Sequence, residues 1–312
     1  MDRSPNAAES GTTRAASSVL ALSRNHLRRV QPATGFHAVV AAVLILQSAA
    51  CSSDSPDVSK EGSDDGYVQW ALPDKLKEIS GLALTDDERL LAITDESGIV
   101  YELDYETGRI VKAFALGNPT VRDDFEGIAV LDGTIWLMTS RGDLYAANEG
   151  DDGERVAYER YETDLDDKCE LEGLAQIESR KSLALICKEA KKKLRVFEWA
   201  VAGPGIRQID QFTLPEKAME KAIDKNHVNP SGITIEPETG SWLVVASRQH
   251  AVFELSHDGE LIDVIMRLSA KRHRQAEGIA ITSDGQLLIA DEGGNGQARL
   301  AVYESKTGNK KN

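Results

Sequence analysis

Three glutamates stand at equivalent places in a repeated hexapeptide: Glu126 in Asp124-Phe125-Glu126-Gly127-Ile128-Ala129, Glu172 in Glu170-Leu171-Glu172-Gly173-Leu174-Ala175, and Glu277 in Gln275-Ala276-Glu277-Gly278-Ile279-Ala280. Three carboxylates gathered at one point bind a hard cation such as Ca²⁺, share protons at raised pKa, or pair with a basic side chain, for which Lys188 is placed. Two further copies, Glu78–Ala83 and Asn229–Thr234, carry Ser80 and Ser231 at that place. The five motif glycines, Gly81, Gly127, Gly173, Gly232 and Gly278, lie 46, 46, 59 and 46 residues apart.

A period in the mid-forties, filled with short apolar runs and turn residues, predicts the four-stranded blades of a β-propeller. In the first period the strands are expected at Gly81–Leu84, Leu90–Thr94, Ile99–Leu103 and Ile110–Leu116, separated by Asp- and Gly-rich turns. An aromatic recurs in the third strand (Tyr101, Tyr145, Phe197, Phe253, Tyr303) and is read as packing between sheets. The fifth period ends after Leu300–Glu304, without an outer strand, and Tyr67–Leu72 is expected to complete it. The fold class is therefore all-β: a five-bladed β-propeller closed by an N-terminal strand, over residues 67–305. A six-bladed ring is the alternative, although no sixth motif is present.

In an antiparallel pair the start of one strand lies beside the end of the next. The motif residues Ser80, Glu126, Glu172, Ser231 and Glu277 should thus share one channel rim with Asp95, Ser140, Lys188, Ser247 and Asp291. The ligand-rim candidates are Ser80, Asp95, Glu126, Glu172, Lys188, Ser231, Glu277 and Asp291, and the metal-ligand candidates are Glu126, Glu172 and Glu277, with Ca²⁺ as the ion. No catalytic residue is identified. Just outside, Glu96, Arg141, Glu189, Arg248 and Glu292 alternate in sign, which predicts salt bridges between blades. The 13 additional residues of the 59-residue interval include Pro215–Asp224, of helical composition, expected as a shoulder on this rim. His227 and His273 fall in loops and are read as surface residues.

Residues 1–34 are polar with five arginines, Gly35–Ala50 is apolar, Cys51 follows, and Ser52–Gly66 is rich in Ser, Asp and Gly. Sixteen apolar residues are short for a membrane span but suit a secretory signal. Ser48-Ala49-Ala50-Cys51 resembles a bacterial lipoprotein processing site, so residues 1–50 are expected to act as an export signal, Cys51 to carry lipid, 51–66 to be a flexible linker and 306–312 a disordered tail; an uncleaved N-terminal anchor or a simple secretory signal is the alternative. The stretch ahead of Arg28-Arg29 is longer than such a signal needs, which points to a start downstream of Met1. The expected location is the bacterial cell envelope, at the outer membrane or periplasmic face, with the membrane as a partner through the lipid anchor. Export leaves Cys169 and Cys187 to be read as a disulfide or as two buried thiols. The chain has 36 basic and 51 acidic residues; the first 50 residues take five arginines, Asp2 and Glu9 of these, leaving 31 against 49. Such a surface excludes nucleic acid as a partner.

The five motifs, together with Cys169–Leu174, Ile186-Cys187-Lys188-Glu189, Asn229-Pro230-Ser231-Gly232 and Ala290-Asp291-Glu292, resemble the SdiA-regulated family of bacterial envelope β-propellers over about Tyr67 to Glu304. The resemblance implies an envelope location and brings no established reaction. Asp291-Glu292-Gly293-Gly294-Asn295 departs from that family's more compact Asp-Glu-Pro-Asn form. Two function classes follow. The first is an anchored binding module for a small molecule, glycan or envelope protein. The second is a metal-dependent phosphoesterase- or lactonase-like hydrolase in which the three glutamates hold the ion. The lack of a nucleophile elbow or a histidine-rich cluster favours the first.

Overall fold

The computed structural model describes residues 60–63, 66–165, 169–190, 193–201 and 206–305. By internal contacts the chain divides into residues 1–53 and 54–312, and the second unit holds five sheets around a channel, antiparallel except that the short strand Arg155–Val156 pairs in parallel with the outer strand Arg109–Leu116 of blade 1. The inner strands are Ile79–Leu84, Phe125–Leu131, Cys169–Ile177, Gly232–Ile235 and Ala276–Ile281, one per blade. Each abuts the next, and the first meets the fifth, so the ring has five blades rather than six. Blades 1 to 4 run outward in chain order from these strands. In blade 5, Ala276–Ile281, Leu287–Asp291 and Arg299–Tyr303 are followed by Tyr67–Ala71, with Lys60–Ser63 paired beyond it. Tyr67 lies opposite Tyr303 and Trp70 opposite Leu300, and the Trp70 indole N–H donates to the Tyr105 carbonyl at 3.0 Å. Among the described residues no helix is long and apolar enough to cross a membrane.

The apolar core lies between sheets. One cluster joins blades 1 and 2 (Leu91, Phe114, Ile128, Leu137), the largest joins 2, 3 and 4 (Trp136, Leu185, Phe197, Val244, Phe253), and two more join 4 to 5 and 5 to 1. Tyr101, Tyr145, Phe197 and Phe253 are buried in these clusters and Tyr303 packs against one, as the repeat positions suggest.

The motif glycines allow the inner strands to converge. A Cβ on Gly127 would lie 2.8 Å from the Leu174 backbone nitrogen, and one on Gly232 only 2.5 Å from the Glu277 carbonyl oxygen. No side chain fits such a gap without moving the neighbouring backbone.

Pairing of inner and second strands slips at the motif in four blades. Ile79 pairs with Thr94 but Gly81 with Ile93; Phe125 with Thr139 but Gly127 with Met138; Leu171 with Cys187 but Gly173 with Ile186; Ala276 with Asp291 but Gly278 with Ala290. The residue left over is Ser80, Glu126, Glu172 or Glu277. A β-bulge thus takes the motif's polar residue out of the ladder and re-aims it. Blade 4 differs because its inner strand starts at Gly232, directly after Ser231.

Candidate functional site

The four bulge residues line one end of the channel with the motif glycines, around a cavity of about 10 Å³. That volume admits roughly one water-sized particle. One ligand oxygen each from Glu126, Glu172 and Glu277 lies within 4.8 Å of the others. The Lys188 ammonium bonds Glu172 Oε1 and stands 3.6 Å from Glu170 Oε1. Glu172 is only 2% exposed and its Oε2 has no hydrogen-bond partner, nor has the buried Ser80 hydroxyl.

Burial, the Glu172 and Glu277 charges and Asp124 push the Glu126 carboxyl far above the usual carboxylate range, against a smaller pull from Lys188. Glu172 is also raised, since burial outweighs its bond to Lys188. Glu277 is pushed up to about 7, chiefly by burial. Burial alone would lower the Lys188 ammonium, but the bond to Glu172 holds it above its ordinary value. Asp95, at the end of its strand, is pushed up to about 6 by burial and then by Glu78, Glu96, Glu292 and Asp124. Three carboxylates against one ammonium carry a formal −2 when ionised, a charge matched by one divalent cation.

The remaining rim candidates are used within the protein. The Ser231 hydroxyl donates to the Ala276 carbonyl at 2.6 Å and accepts the Ser247 N–H at 3.1 Å, tying blade 4 to blade 5. Asp291 is 2% exposed; it accepts from the Gln275 N–H at 3.3 Å and lies 2.7 Å from His273 Nδ1. His273 corrects the reading of a surface loop histidine: it is fully buried, with Nε2 2.6 Å from the Tyr303 hydroxyl. No local signal marked it, because its partners come from strands 18 and 30 residues away. The alternating outer ring also needs correction. Arg248 pairs with Glu189 at 3.1 Å, but Arg141 turns to Asp123 at 3.4 Å and Asp143 at 3.8 Å, acids of its own blade that lie within easier reach, and Glu292 accepts from the Gln275 amide.

The extra residues form a helix at Glu216–Ile223, with Met219 and Ile223 buried against the main core. It lies in the connection from the outer strand of blade 3 to the inner strand of blade 4, at the motif end of the channel. Cys169 and Cys187 are disulfide-bonded with Cα atoms 5.8 Å apart, Cys187 lying opposite Leu171. Cys51 lies outside the described residues.

Among solved structures the chain is similar in fold to glutaminyl cyclase from Myxococcus xanthus (14% identity, TM-score 0.50, covering 76% of this chain and 95% of that one). It is also similar to a catalytically inactive virginiamycin B lyase from Staphylococcus aureus (16%, 0.43, 80% and 84%) and to a luciferin-regenerating enzyme (12%, 0.46, 80% and 91%). At 14% identity the likeness to the cyclase is one of fold alone. No curated protein matches the sequence. Residues 210–311 match the model of the SdiA-regulated family, in accord with the resemblance carried by the motifs.

Proposed function

We propose that the protein is an envelope-anchored binding module whose propeller holds one divalent cation at the channel rim and uses it to recognise an oxygen-rich ligand, a small molecule, glycan or envelope protein. The observation that carries this reading is the convergence of Glu126, Glu172 and Glu277 within 4.8 Å, with a buried Glu172 oxygen left unpartnered. A cavity of about 10 Å³ suits an ion and not an organic substrate, which would dock on the rim above it. Oxygen-only ligands favour Ca²⁺ over softer metals. The apolar run ahead of Cys51 supports a lipid anchor, which would present the rim at a membrane surface.

The hydrolase reading draws on the burial of Glu126 beside Glu172 and Glu277, which raises its carboxyl above the usual range in the metal-free protein. A bound cation would lower that pKa again, and the three glutamates would then hold the ion while one carboxylate acts as general base on a phosphoester or lactone. Calorimetric titration of the mature protein with Ca²⁺ tests the first reading: one ion per chain is expected, with a melting temperature that climbs with Ca²⁺. The Glu126→Gln/Glu172→Gln double variant should stay folded and lose both responses. A melting temperature unmoved by millimolar Ca²⁺, Mg²⁺ or Mn²⁺ would reduce the carboxylates to a hydrated structural ring and would remove the hydrolase reading with it.

A further inference from the structure

A second set of metal-ligating side chains lies outside the channel. Glu216, Glu220 and His227 each bring a ligand atom to within 4.8 Å of the others. We propose that these three residues bind a divalent first-row transition metal of the zinc type, at a site independent of the channel carboxylates, and that the ion fastens the shoulder helix to the segment entering blade 4.

The scaffold imposes this geometry. Glu216 and Glu220 stand at i and i+4 on the helix Glu216–Ile223, one above the other on the same face. Met219 and Ile223, buried beside them, stop the helix from rolling. The Arg267 guanidinium donates to the Ala222 and Ile223 carbonyls at 2.5 and 3.2 Å, which holds the C-terminal end. The chain then reverses through two left-handed residues, Asp224 (φ 53°) and His227 (φ 61°). This brings His227 back onto the helix, where its backbone N–H donates to Glu220 Oε1 at 2.6 Å.

Both sides of the turn are pinned to one residue of blade 4: Lys225 Nζ donates to the Gln249 carbonyl at 2.8 Å, and the Asn229 N–H donates to Gln249 Oε1 at 3.1 Å. Ligands held on rigid elements by their surroundings make a preorganised site. Two glutamates one turn apart repel each other, and a cation between them removes that repulsion.

The ligand types choose the metal. One imidazole and two carboxylates suit zinc and its neighbours, whereas Ca²⁺ requires six to eight oxygens. His227 is exposed, so water can complete the coordination from the solvent side. Occupancy would be felt at the rim, because Asn229, two residues past His227, donates through Nδ2 to Glu189 Oε1 at 3.3 Å.

The experiment is calorimetric titration of tag-free mature protein with Zn²⁺, paired with Co²⁺ titration followed by visible absorption. One Zn²⁺ per chain is expected beyond any Ca²⁺ site, with a Co²⁺ spectrum of low-coordinate nitrogen and oxygen ligation. His227→Ala should weaken Zn²⁺ at least tenfold and abolish that spectrum while leaving the Ca²⁺ response intact. Glu216→Gln, a milder variant that keeps the helix, should also weaken Zn²⁺. The Glu126→Gln/Glu172→Gln variant should bind Zn²⁺ like the parent. Unchanged Zn²⁺ affinity in a folded His227→Ala protein, or loss of Zn²⁺ only in the channel variant, would overturn the assignment.

Discussion

The charge state of the channel residues sets a pH dependence whose sign follows from burial. Glu277 is pushed up to about 7 from 4.5, and Glu126 and Glu172 are raised with it. A carboxyl raised on folding holds its proton in the folded chain where the unfolded chain has lost it. Between about pH 4.5 and pH 7, and for Glu126 up to about pH 9, the folded state therefore binds more protons, and stability falls as pH rises through that window. His250, lowered by burial, works in the opposite sense, and Glu149, held down to about 2 first by its bond to Arg89, acts only at lower pH. The difference between parent and the Glu126→Gln/Glu172→Gln variant isolates the cluster. In chelator, the parent's melting temperature is expected to decline relative to the variant's from roughly pH 5 up to roughly pH 9, where Glu126 loses its proton, and added Ca²⁺ should restore more at the upper end, because it binds the ionised carboxylates. Parallel pH profiles for the two proteins would contradict this. The three glutamates were legible in the sequence because a repeat period makes positions equivalent. The differing fates of Ser80 and Ser231 were not, since the Ser231 hydroxyl is claimed by the Ala276 carbonyl of another blade.

At the scale of elements, the motif's function is explained by its bulge. Alternation of apolar residues predicts strands and their faces, but a register slip has no residue signature here beyond a glycine following the polar residue. The shift from Ile79–Thr94 to Gly81–Ile93 pairing, and its counterparts in blades 2, 3 and 5, emerges only when the inner strand is fitted to its neighbour. Backbone bonds from Phe125 N–H to the Asp95 carbonyl (2.8 Å) and from Leu171 N–H to the Ser140 carbonyl (2.9 Å) join the bulged starts of blades 2 and 3 to the preceding blade. The strand Tyr67–Ala71 is the other element with a measurable consequence. It covers the edge of Arg299–Tyr303 and, with the residue directly after it, contributes Tyr67, Trp70 and Leu72 to the buried surface. Removing residues 51–72 from the mature chain deletes those three side chains at about 1.5–3 kcal/mol each. For a domain of this size that corresponds to a fall in melting temperature on the order of 10 °C or more. Trp70→Ala alone should cost about 3 kcal/mol. A truncated protein that melts within a degree or two of the parent would show that the pairing contributes nothing to the ring in solution.

For the whole molecule, the proposed envelope location raises the question of how an acidic domain would be held at a membrane. After Cys51 the chain holds 31 basic against 49 acidic residues. Anionic lipid headgroups repel such a surface, so under the proposed anchoring attachment would come from buried acyl chains instead. One acyl chain gives only marginal, reversible binding, whereas two or three give a stable anchor. The apolar run Gly35–Ala50, ending in the small residues Ser48-Ala49-Ala50 ahead of Cys51, is what motivates the proposal of lipid transfer to that cysteine, although Leu46 stands five rather than three residues before it. Mass spectrometry of protein from the native host is therefore expected to find Cys51 as the mature N-terminus, carrying two or three acyl chains. Cys51→Ala should move the protein from the membrane fraction to the soluble one without changing the melting temperature of the propeller. High salt, which strips proteins held by charge, should release none of the parent. Recovery of an unmodified peptide spanning Ala50 and Cys51 would refute lipidation, and with it the placement of the rim at a membrane surface.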